Sequence, residues 1–189
     1  LRDQAVYPLT ESGSLKTWVG VGGSPESITR TARYGLPLML AIIGGEPARF
    51  APLVELYHRA LEHYGQAPQP VGFHSPGYVA DTDEQALDEM WPHYRDMHAR
   101  IGRERGWGPL TRQQYELTAG PEGALFVGSP ETVATKIARS ARTLGADRFD
   151  LKYSTGTLSH EKLMRSIELY GTKVAPLVRA ELAQVPTPA

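Results

Sequence analysis

The chain contains no cysteine. Disulfides, thiolate zinc sites, iron–sulfur clusters and a cysteine nucleophile are therefore excluded. It also lacks an excess of charge, with 20 Lys+Arg against 21 Asp+Glu and a formal net charge of −1. That balance removes the electrostatic case for nucleic acid or an anionic membrane as a main partner. Long apolar runs are missing as well. The longest, Leu36 to Ile43, falls far short of the roughly 20 residues that span a bilayer. No Gly-x-x-x-x-Gly-Lys-Ser/Thr loop is present, which argues against nucleotide hydrolysis. The six histidines show no metal-binding spacing. His58 and His63, like His93 and His98, lie about 140° apart around a helix. No metal is expected. The first residues, Leu1-Arg2-Asp3-Gln4, carry neither an initiator Met nor the basic and apolar regions of a signal peptide. A trimmed or partial chain and a cytoplasmic location are the expectation.

What is present is an ordinary globular composition, 41% hydrophobic and 22% charged over 189 residues. Thr17 to Val21 is short, apolar and β-branched, and it ends in Gly22-Gly23. It reads as a buried strand. Ser24-Pro25-Glu26-Ser27 then opens a helix, with Ser as N-cap and Pro in the first turn, running to about Tyr34. Leu36 to Ile43 is a second strand covered on both faces and ended by Gly44-Gly45. Phe50, Leu53, Val54, Tyr57, Leu61 and Tyr64 share one face of the next helix, closed by Gly65.

Val71 to Ala80 is a third strand, interrupted by Pro76 and Gly77. Thr82-Asp83-Glu84-Gln85 reads as a capping box before a long helix that Pro92 kinks. Residues 102–123 read as an irregular excursion. Ser129-Pro130-Glu131-Thr132 repeats the earlier helix start, and is read as structural capping after Leu125-Phe126-Val127, too short for a core strand. Arg148 to Ser154 is the fourth strand, followed by a last helix through Leu177 and Val178.

Strands alternating with helices give an α/β fold with parallel pairing. A complete eight-stranded barrel takes about 200–250 residues or more. The expectation is an open sheet or half a barrel, with residues 1–16 as an N-terminal extension, 17–184 as the (β/α)4 unit and 185–189 as a Pro-rich tail.

The Gly22-Gly23-Ser24-Pro25-Glu26-Ser27 segment lies between a strand's C-terminal end and a helix N-terminus. There the free amide hydrogens and the helix dipole receive a phosphate well, and glycine lets the backbone approach it. The other reading is a plain N-cap, with Glu26 arguing against an anion unless it turns away. His74 reads as a structural histidine within its strand, and His160 as a weaker catalytic candidate at the start of the last helix. Lys152 is unusual in a strand. Two readings stand open, contact with a ligand or a pair with Asp150. The Arg100–Trp107 cluster reads as a solvated face or lid contact.

Trp18 to Ser27 and Ala32 to Gly45 resemble the bacterial luciferase-like flavin-dependent monooxygenases, and Tyr78–Thr82, Val127–Ala134 and Asp150–Gly156 extend the likeness. The resemblance implies the second half, strands five to eight, of a TIM-type barrel using reduced FMN, or coenzyme F420 in one branch. It further implies a flavin phosphate held at Gly23 (through its backbone), Ser24 and Ser27, and a flavin ring against Ala41-Ile42-Ile43, so that Ile42 is a cofactor contact. The catalytic groups would lie in the missing first half and are unknown. Two functions compete: the C-terminal half of a monooxygenase acting on a small organic substrate, and a non-catalytic half-barrel with residual phosphate binding. A half-barrel exposes two sheet edges and its inner face, so a homo-oligomer is expected.

Overall fold

The computed structural model describes residues 15–184 together with Tyr7, Thr10 and Glu11. Most of the expected extension over 1–16, and all of the tail over 185–189, lie outside the described residues. The order is β1 (Val19–Val21), α1 (Pro25–Arg33), β2 (Leu38–Ala41), α2 (Ala51–His63) and β3 (Val71–Val79), then α3 (Asp83–Arg105) and α4 (Arg112–Ala119). It continues with β4 (Phe126–Gly128), α5 (Pro130–Leu144), β5 (Arg148–Lys152), α6 (His160–Leu169) and α7 (Ala175–Ala183). Every strand pair is parallel, as βα alternation requires.

β3 is the hub. Its first residues pair with β2, residues 72–76 pair with β5, and Gly77–Val79 pair with β4. The strand therefore runs through Pro76 and Gly77 instead of being interrupted by them. A side chain at Gly77 would meet the Phe126 carbonyl oxygen at 2.3 Å, so glycine there permits the approach of β4. Four sequence expectations change at this point. The described residues form five strands, because β4, only three residues long, is buried throughout and held by β3. Residues 102–123 are also not all irregular, since α3 continues to Arg105 and α4 follows. A full capping box opens α4, with Thr111 and Gln114 bonding reciprocally. At Thr82 only half of the expected box forms: Thr82 accepts from the Gln85 amide, while the Gln85 side chain donates to Glu89 at 3.3 Å. The single last helix is divided into α6 and α7 by a π-type turn over Tyr170–Val174.

One face of the sheet is covered. Val21, Leu38, Leu40, Ile42, Val71 and Phe73 pack against α1, α2 and α5 through Ile28, Val54, Tyr57 and Ile137. Phe73, Phe126 and Phe149 stack with centroids 4.7–6.2 Å apart, joining β3, β4 and β5. Tyr57 is fully buried and donates its hydroxyl to the Leu36 carbonyl at 2.6 Å, and burial pushes its pKa up to about 12. A second core, Tyr78, Met90, Tyr94, Tyr115 and Leu125, joins the end of β3 to α3 and α4. The fold is thus a parallel α/β unit whose helices α1, α2 and α5 cover one face; on the other, Tyr78 meets α3 at the end of β3, while Gly20, Arg148 and Lys152 stand exposed.

Candidate functional site

The residues that alternate with the core set face away from the helices. Strand register sets Gly20, Met39, Gly72 and Arg148 in one row, and Ala41, His74 and Asp150 in the next. Met39 and Trp18 lie against Gly72, where a Cβ would sit 2.8 and 3.2 Å from them. The Arg148 guanidinium lies 5.3 Å from the Trp18 ring. His74 is the one partly exposed residue of β3. This open face is not simply apolar. It is lined by Trp18 and Met39 toward the strand starts and by titratable groups toward the strand ends.

At those ends the β1–α1 and β2–α2 loops meet. Gly23, Gly44, Gly45, Arg49, Phe50 and Leu53 line a cleft of about 230 Å³. Gly23 has φ +120°, a conformation L side chains rarely adopt, and a Cβ on Gly22, Gly23, Gly44 or Gly45 would meet nothing within 4 Å. A ligand can therefore approach the backbone of both loops closely at these positions. Ser24 caps α1 by accepting the Ser27 amide hydrogen at 3.3 Å. Its own hydroxyl donates to Glu26 Oε2 at 2.7 Å. That hydrogen bond holds the exposed Glu26 carboxyl below its usual range. Arg30 donates to Ser27 Oγ at 3.2 Å. Glu26 has therefore not turned away, and it occupies the Ser24 hydrogen an anion would need. The donor set otherwise suits a phosphate, with closely approachable glycine backbone, two hydroxyls and the Arg49 cation.

Of the residues singled out from sequence, Gly23 lines the cleft, and Ser24 and Ser27 sit beside it at the start of α1. Ile42 does not present its side chain there. It is fully buried in the helix-side core, while Ile43 is 64% exposed. A ligand reaching this strand end meets Ala41 and Ile43. Arg49 and the Gly44-Gly45 pair were missed as site residues. The signal for them was a glycine pair directly after the second strand, repeating Gly22-Gly23 after the first. Lys152 is exposed and does not pair with Asp150, whose Oδ1 accepts from Arg148 Nε at 2.8 Å. Ser154 lies beyond the strand, and His160 is exposed at the first position of α6.

A larger cleft, about 480 Å³, lies among α3, α4 and α5. Its charged groups serve the fold: Arg139 pairs with Glu122, Arg112 ties Glu116 to Asp88, and Lys136 donates to three carbonyls. Among the described residues no cluster of His, Asp and Glu suits a metal ion, and no helix is long and apolar enough to cross a membrane.

Comparison with known proteins gives a coherent result. The family model described as luciferase-like monooxygenase matches residues 2–148. Among solved structures, the monooxygenase RslO1 from Streptomyces bottropensis is similar at 19% identity and TM-score 0.66, over 84% of this chain and 47% of that one. The oxygenating constituent of 3,6-diketocamphane monooxygenase from Pseudomonas putida, in complex with FMN, matches at 18% identity and TM-score 0.62, over 85% and 48% of the two chains. The coenzyme F420-dependent tetrahydromethanopterin reductase from Methanopyrus kandleri matches at 16% and 0.57, over 84% and 50%. The chain spans about half the length of these structures. No curated protein matches it significantly.

Proposed function

The chain belongs to the luciferase-like monooxygenase family, and on that premise we propose that it is the C-terminal half of a flavin-dependent monooxygenase that oxygenates a small organic substrate with O₂. The observation that carries this reading is the glycine-lined cleft where the β1–α1 and β2–α2 loops meet at the strand ends. Such a site receives a phosphate through backbone amides and a helix N-terminus. Gly23 offers its amide, Ser24 and Ser27 their hydroxyls, and Arg49 a cation. The Ser24 hydrogen swings from Glu26 to the phosphate on binding. Ala41 and Ile43, with the backbone of Ile42, would hold the flavin ring. Reduced flavin, when bound, supplies the electrons that activate O₂, and the protein orients cofactor and substrate and excludes water. FMN is the proposed cofactor, with the deazaflavin F420 as the alternative, since neighbours of both kinds share the fold.

Titration of the chain with FMN, followed by flavin fluorescence, tests the site. The Ser24→Ala, Ser27→Ala double variant is expected to bind FMN about tenfold or more weakly, as loss of charge-assisted hydrogen bonds requires. Equal affinity in both proteins removes the assignment.

The exposed part of the sheet face favours a second reading, in which two copies pair face to face and the unit keeps only residual phosphate binding. Ile43, which follows Ala41 in strand alternation, stands exposed at the end of that face, and burial of such apolar surface drives association. Homo-oligomerisation and a cytoplasmic location belong to these proposals. A compact monomer in light scattering counts against pairing.

A further inference from the structure

The open sheet face carries a donor–acceptor pattern that the phosphate site does not use. We propose that Asp150, flanked by His74 and Lys152, recognises the polar edge common to flavins and deazaflavins, a ring N–H between two carbonyl oxygens. This rests on the flavin reading above and extends it from the phosphate to the ring.

Register carries the geometry. Ala41, His74 and Asp150 are level across β2, β3 and β5, and one more residue of the β1–β2 register brings Gly22 level with them. The row therefore starts small, with Gly22 and Ala41 beside the phosphate cleft, and ends polar, with His74 and Asp150. Three strand spacings of about 4.8 Å make it about 14 Å long. Small residues leave room for a flat ring, and the polar end meets the ring's edge.

Asp150 is held for this task. Arg148 Nε donates to its Oδ1 at 2.8 Å, and the Arg148 guanidinium rests against Trp18. Oδ2 is left to accept from a ring N–H. Lys152, one row nearer the mouth on the same face, and His74, on the adjacent strand, are placed to donate to the two flanking carbonyls. Stability does not explain the arrangement. The Arg148–Asp150 side chains are 51% and 44% exposed, and such surface pairs contribute little.

The test compares three ligands by fluorescence titration: FMN, riboflavin, which lacks the phosphate, and FMN methylated at the ring N3, which lacks the edge hydrogen. The wild-type chain is expected to prefer FMN over the methylated form by about tenfold or more, the value of a charge-assisted hydrogen bond. Asp150→Ala is expected to abolish that preference and keep the FMN-to-riboflavin ratio. The Ser24→Ala, Ser27→Ala variant should do the reverse. Equal binding of FMN and its methylated form by the wild type overturns the edge assignment without any variant and leaves the flavin reading standing. Preserved discrimination in Asp150→Ala also overturns it. Absence of binding to both FMN and a deazaflavin sinks the flavin reading, and the edge assignment with it.

Discussion

Two helices in this chain open on Ser-Pro-Glu, and they meet different fates. At α1, Ser24 caps the helix through the Ser27 amide, the preceding Gly23 lines a cleft, and side chains built on Gly22 or Gly23 would touch nothing. At α5, Ser129 caps through the Thr132 amide in the same way, but the helix end is already filled. Asp83, from the start of α3, accepts from the Ser129 amide at 2.6 Å and from the Thr132 hydroxyl at 2.9 Å. Gly128 makes room for it, since a Cβ there would lie 2.7 Å from Asp83 Oδ1. A helix N-terminus attracts an anion in either case. In α5 the protein supplies its own carboxylate from α3, and in α1 the carboxylate bonded at the opening is the helix's own Glu26. The lesson is that the same cap becomes a site or a strut according to what the rest of the fold brings to it.

The contrast can be broken most strongly from the filled side. Lys136, on α5, is buried and donates to the carbonyls of Ala119, Gly120 and Leu125 at 3.1, 2.6 and 2.5 Å. Burial, joined by the nearby Arg139 charge and opposed by Glu122, pushes its pKa down to about 7, while the three carbonyls favour the ammonium. Lys136→Met leaves those carbonyls unpaired and is expected to cost roughly 3 kcal/mol in urea unfolding. A cost below about 1 kcal/mol would mean that α5 is not held in this way.

Asp83→Asn comes next, at about 1–2 kcal/mol. Burial raises the Asp83 pKa, but the hydrogen bonds from Ser129 and Thr132 outweigh it and hold the carboxyl below its ordinary 3.8. A pKa lower in the folded than in the unfolded protein gives stability that is complete above the unfolded value and lost as pH falls through the folded one. The difference between wild type and Asp83→Asn should therefore be constant from about pH 7 to 5 and shrink below about pH 4. A pH-independent difference would break the comparison.

The smallest effect is on the open side. Glu26→Gln removes the carboxylate bonded to Ser24 at the mouth of α1 and should strengthen inorganic phosphate binding roughly threefold, with little change in stability. Weakened phosphate binding would give Glu26 an organising role instead.

The sequence was legible where local chemistry decides. Ser24, Thr82 and Ser129 each cap a helix start, and Gly65 adopts positive φ just past the end of α2. The apolar runs at Leu38–Ala41 and Val71–Val79 are the central strands. β4 was not legible, since a three-residue strand has no periodicity and exists because β3 supplies its partner. α4 was hidden among Gly, Pro and Arg, and its buried Tyr115 shows its face only once α3 lies across it. Ile42 was expected to face a ligand, but period-two alternation turns its side chain to the core and leaves the open face to Ala41 and Ile43.

By itself the sequence determined the parallel βα order, the helix starts and stops, and a glycine–serine loop competent for an anion, because turns, caps and apolar runs act over a few neighbouring residues. Tertiary structure alone decided that Asp83 closes one of two equivalent helix ends, that Arg49 and Gly44-Gly45 join Gly23 around a cleft, and that His74, Asp150 and Lys152 gather on one open face. Those groupings link residues up to 78 positions apart, and only strand register and layer packing bring them together.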